Sequence, residues 1–131
     1  MIRFGRLSWE QACECLAPMV GNPKWDYSDG LFGVGDIIGG GLVYLVSDDN
    51  GPLGVVSVEQ VTHQGGKELV IRAALQIAAN GDIVDRVLPE VERTFGFGCD
   101  AVTVYTKRAG LVRKMECNGY TEAAKIMRKK L

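Results

Sequence analysis

The chain has 131 residues, 47% of them apolar and 24% charged, with 15 Lys/Arg against 16 Asp/Glu. That is the composition of one ordinary globular domain spanning 1–131, and no stretch approaches the roughly 20 apolar residues that cross a bilayer. The near-neutral total argues against a polyanion-binding surface, and Met1 to Arg6 leads into polar sequence rather than a secretory segment, so the default location is cytoplasmic.

Ser8-Trp-Glu-Gln11 has the spacing of a capping box and predicts a helix start. Trp9, Ala12, Cys13, Leu16 and Ala17 recur at steps of three and four, which makes one stripe to bury. Pro18 disturbs that helix, and Gly21-Asn-Pro23 ends it. Residues 22–41 are rich in Gly, Asp and aromatics without a sustained period, so an irregular segment with room for one short element is expected. Trp25 and Tyr27 either line a pocket there or staple the loop to the core.

Three strands follow, at Leu42–Val46, at Leu53 to Val61 and at Glu68–Ile77, separated by the turn clusters Ser47–Pro52 and His63–Gly66. Short loops between them predict an antiparallel meander. Asp82 is the expected N-cap of a helix whose buried face is Val84, Val87, Leu88, Val91 and Phe95, closed by Gly96. Pro89 lies beyond the first turn of that helix and predicts a kink or a restart. A strand over Ala101–Thr106, a helix over Ala109–Asn118 with Gly119 as left-handed cap, and a last strand near Ala123–Arg128 complete the order.

The cysteines Cys13, Cys15, Cys99 and Cys117 fit neither a CxxC pair nor a zinc ribbon, so reduced thiols and no metal site are expected. His63 reads as a turn residue. Charge is uneven: residues 107–131 hold eight Lys/Arg and two Asp/Glu, leaving seven basic and fourteen acidic residues before them. Nucleic-acid binding through that basic end is disfavoured by the acidic body and by the lack of interleaved stacking aromatics.

The element order resembles the GNAT N-acetyltransferase superfamily, most clearly where Leu111 to Tyr120 looks like its fourth helix and closing Gly-aromatic pair. Small GNAT-like proteins encoded by phages and prophages are similar too. The resemblance implies a mixed α/β sheet, an antiparallel meander followed by β-α-β-α-β, with acetyl-CoA lying where the fourth and fifth strands part. It implies strand contacts at Leu75, Gln76 and Ile77, a phosphate site at Asn80, Gly81, Asp82 and Ile83, and a phosphate partner in Arg108, with Lys107 and Arg113 beside it. An amine acceptor and a homodimer are its further implications.

Two features depart from the family pattern. The phosphate loop has one glycine, Gly81, beside acidic Asp82, and the usual tyrosine acid falls at Met115, which cannot donate a proton. Glu59, with Glu68 as a second choice, is then the candidate base, and Tyr105 the candidate acid. The expected function is transfer of acetyl from acetyl-CoA to an amine; the alternative is a non-catalytic accessory or interaction protein with a degenerate cofactor site.

Overall fold

A computed structural model describes residues 1–79 and 82–131. Its centre is a five-stranded sheet of β1 (Arg3–Arg6), β2 (Leu42–Asp48), β3 (Gly51–His63), β4 (Gly66–Gln76) and β5 (Ala101–Val104), laid side by side in chain order. Strands β1 to β4 are antiparallel, and β5 runs parallel to β4. The expected meander is therefore present. β1 was not expected: four mostly exposed residues with a central glycine give little periodic signal, and pairing of Phe4 with Val46 supplies the order.

Alternation along β3 sends its side chains to two cores. On one face Val56 and Val58 meet Leu69, Ile71, Val87 and Val91; on the other Val55 meets Leu16, Ile38, Val43 and Ala73. The second face is covered by α1 (Trp9–Leu16) and α2 (Val34–Ile38). Ser8 and Gln11 form the predicted capping box, each accepting from the other's backbone N–H. Residues 22–33 stay irregular, folded about Asp26, whose carboxylate accepts from the Ser28 hydroxyl and from the N–H groups of Ser28 and Gly30.

The first face is covered by α3 (Leu88–Phe95) and α4 (Ala109–Cys117). Pro89 acts as a restart. Ile83–Val87 forms one widened π-type turn, in which the Leu88 N–H reaches back to the Ile83 carbonyl, and α3 begins afresh with Pro89 in its first turn, where a missing N–H costs nothing. Asp82 is the N-cap of the widened turn, Gly96 follows α3, and Gly119 adopts φ +90 after α4.

The last predicted strand is a correction. Residues 121–131 have no regular structure and are exposed throughout, Ile126 and Met127 at 60% and 89%, so this segment has no buried apolar side on which a strand would settle. It is held instead by Arg128, which donates to the Tyr27 carbonyl at 2.9 Å and to Asp29 at 2.8 Å. Among the described residues no helix is long and apolar enough to cross a membrane.

Candidate functional site

Strands β4 and β5 pair from Glu68 and Ala101 as far as Ile71 and Val104, with one further long bond from the Tyr105 N–H to the Ile71 carbonyl at 3.4 Å. There they part. β4 continues through Arg72 to Gln76 along β3 alone, because Ser57 pairs with Ala73 and Val58 with Ile71, leaving Arg72 as an extra residue. Such a bulge bends its strand and raises its twist, which carries the end of β4 away from β5. Among the described residues the backbone edge of Arg72–Gln76 is thus left without a strand partner on that side. Beyond the end of β5 a cleft of about 430 Å³ is lined by Thr106, Lys107, Ala109, Val112, Arg113 and Glu122.

The expected cofactor residues are placed unequally around this opening. Leu75 and Gln76 lie on the unpaired edge, whereas Ile77 falls outside the strand and commits its N–H to the Leu53 carbonyl at 2.8 Å. Gln76 turns its side chain onto the carbonyls of Ala78 and Ala79. Asn80 and Gly81 lie outside the described residues. Asp82 accepts from the Asp85 N–H at 3.3 Å and lies 3.6 Å from the Lys114 ammonium, so its charge is partly compensated within the chain. The Ile83 side chain reaches the first core, against Gly54. Arg108 is the residue before α4, with its N–H on the Thr106 hydroxyl.

The two candidate catalytic residues fall on the α2 side of the sheet and are linked through Arg72, which was not singled out from sequence, and Tyr27, which was. Glu59 accepts from the Gly40 N–H at 3.0 Å and from the Arg72 guanidinium at 3.4 Å. Arg72 in turn lies within electrostatic reach of Tyr27, whose ring stacks on Tyr105 with centroids 5.7 Å apart and packs edge-on against Phe32. Burial pushes the Tyr27 phenol above its ordinary pKa, and the neighbouring guanidinium opposes that shift. Tyr27 therefore staples its loop, through Phe32 and Tyr105, to the end of β5. Arg72 was missed because a bulge is invisible to a period-two pattern.

Glu68, the second-choice base, lies instead near the far end of β4, where it accepts from the Thr103 hydroxyl at 2.6 Å and pairs with His63 at 2.8 Å. The Thr103 hydroxyl foremost, and His63 next, hold its pKa below the ordinary 4.5. A carboxylate depressed in the folded state stabilises it fully above the unfolded pKa, and that contribution is lost as pH falls through the folded value. Glu68→Gln is expected to flatten the acid limb of a stability–pH curve below about pH 4.5, read by urea unfolding between pH 3 and 6. An unchanged limb would show that Glu68 carries none of it.

Met115 is a core residue, 7% exposed, packed with Val87 and Val91. Tyr120 packs on the same core, its hydroxyl buried without a hydrogen bond of sound geometry. Burial first, then the Glu92 carboxylate, pushes its pKa well up, which makes it a poor proton donor.

No protein-family model matches the sequence, and no curated protein matches it. Solved structures do. A proposed acetyl transferase from Pyrococcus furiosus superposes with a TM-score of 0.70 at 18% identity, covering 100% of this chain and 99% of that one. A GNAT family acetyltransferase from Staphylococcus aureus gives 0.59 at 14% identity, covering 99% and 98%. An aminoglycoside N-acetyltransferase solved in complex with CoA gives 0.58 at 10% identity, covering 100% and 95%. At such identities the likeness is one of architecture. The five-stranded mixed sheet with its flanking helices is a GNAT-like acetyltransferase fold.

Proposed function

We propose that this chain is an acyl-CoA-dependent N-acetyltransferase that uses acetyl-CoA and an amine acceptor. The observation that carries the reading is the parting of β4 and β5 after Ile71 and Val104, which leaves the Arg72–Gln76 backbone edge open. Amide groups on a strand edge suit the amides of a pantetheine arm, and the basic residues Lys107, Arg108 and Arg113 at the start of α4 suit its phosphates. Asp82 is the misfit, since its carboxylate already serves the helix start that a phosphate would use. Bound acetyl-CoA would supply an activated thioester, whose C–S bond is exchanged for an amide C–N bond while the amine loses a proton and the thiolate gains one. Glu59 would hold the amine and Tyr105 or Tyr27 would stand nearest the leaving thiol.

Calorimetric titration with acetyl-CoA and with CoA at near-millimolar concentration tests the reading; absence of heat with both would refute it. Binding without thiol release across an amine panel would favour a non-catalytic GNAT-like domain, which Met115 and Asp82 support.

Asp82→Asn is expected to tighten acetyl-CoA binding about threefold, the effect of removing one unit charge about 6 Å from a phosphate in high dielectric. Stability should stay within about 0.5 kcal/mol, because asparagine caps as well as aspartate and tolerates the φ of +39 at this position. Titration at low and high salt checks it, the gain shrinking as salt rises. Weaker binding by the variant would remove Asp82 from the phosphate site.

A further inference from the structure

The Arg72–Glu59 pair is a poor ion pair for its setting. Its separation of 3.4 Å is long beside the roughly 2.8 Å of a well-made guanidinium–carboxylate bond. The Arg72 Nε is buried with no hydrogen-bond partner among the described residues, although the side chain as a whole is 29% exposed. An unsatisfied guanidinium donor is costly, and a fold that only needed the charge neutralised would close the gap. Instead the backbone makes room for the Arg72 side chain: Gly39 has φ +61, and a Cβ there would lie 2.7 Å from the Arg72 Nε. Glu59 is held from behind by the Gly40 N–H. Tyr27, within electrostatic reach of the guanidinium, stacks on Tyr105 just past the point where β4 leaves β5.

An adjacent cation and anion, paired at a long distance and each with part of its side chain open to solvent, are complementary to a ligand carrying the opposite pair at the same short spacing. We infer that Arg72 and Glu59 form the acceptor subsite and select an α-amino acid, its carboxylate on Arg72 and its ammonium on Glu59. This rests on the acetyltransferase reading for the use made of the amine, but not for the binding itself. Selection follows from the charges: a ligand whose carboxylate is replaced by a carboxamide offers Arg72 one neutral acceptor in place of two charged ones. Arg72 is also suited by geometry, since a planar guanidinium takes a carboxylate through two parallel bonds.

The test is binding to the whole protein without cofactor. Glycine, L-methionine, L-phenylalanine, L-lysine and L-glutamate are each titrated beside the corresponding carboxamide, by calorimetry at pH 7 up to about 10 mM. At least one amino acid should bind about tenfold or more tighter than its carboxamide, the discrimination typical of a lost charged hydrogen bond. Arg72→Gln should abolish that preference, and Arg72→Lys should keep part of it. Circular dichroism confirms that each variant is folded, and the wild-type comparison stands without them. Failure of every amino acid to bind, or equal binding of acid and carboxamide, overturns the subsite. Amino acid binding in a protein that ignores acetyl-CoA keeps the subsite and removes the acetyltransferase reading instead.

Discussion

Gly54→Ala is expected to lower the stability of the protein by about 2–3 kcal/mol, and Gly54→Val by more, because both insert atoms where there is no room. An added Cβ would sit 2.6 Å from the Leu75 carbonyl oxygen and 2.6 Å from the Ile83 methyl. The first neighbour is backbone of the adjacent strand and cannot swing aside. For a domain of this size the alanine variant should melt about 10 °C lower. Because the displaced group belongs to Leu75, on the open edge of β4, acetyl-CoA binding should weaken with it. Gly65→Ala, in a turn with nothing near its would-be Cβ, is the control and should stay within about 0.5 kcal/mol. Thermal unfolding of both, with calorimetry at a temperature where both are folded, checks the pair. A Gly54→Ala protein that melts within 2 °C of the wild type would mean that β3 and β4 can separate freely at that point.

Most of the scaffold is legible from local chemistry. The capping box at Ser8, the turn clusters between strands, the Asp82 cap and the interruption at Pro89 are encoded by neighbouring residues, and each appears where its sequence signal lies. What is not legible depends on partners far along the chain. β1 exists because β2 offers an edge, while the Ala123–Arg128 segment joins no strand and is tethered by Arg128 to Asp29. The site divides in the same way. Glu59 and Tyr105 could be singled out by residue type, but only the bulge at Arg72 and the loop around Asp26 bring Arg72 and Tyr27 between them.

That division has a physical origin. A sheet register is a sum of many pairings, so one extra residue changes the direction of a strand without changing its composition. The parting of β4 from β5 and the exit of the Arg72 side chain beside Tyr27 are two consequences of that one residue. The proposed cofactor edge and the proposed acceptor subsite therefore meet at the backbone of Ile71 and Arg72. A substitution at this point should affect both.

Ile71→Ala provides that substitution, with an expected loss of about 2–5 kcal/mol, against about 0.5–1.5 kcal/mol for Ile71→Val. Ile71 is 1% exposed in the first core and is the last residue of β4 paired with β5. Its removal leaves a cavity under the apex of the opening, where only the long bond from the Tyr105 N–H continues the pairing. Leu16→Ala, fully buried on the opposite face, should cost a similar amount, so the two variants match in global stability and differ in place. Amide exchange separates them: Val104 and Tyr105 should lose protection in Ile71→Ala beyond the global change, and keep it relative to the global change in Leu16→Ala. Loosening of Tyr105 frees its stack with Tyr27, so amino acid binding should weaken in the first variant alone. Equal local protection in the two variants would show that the β4–β5 apex is held by the sheet as a whole rather than by the packing of Ile71.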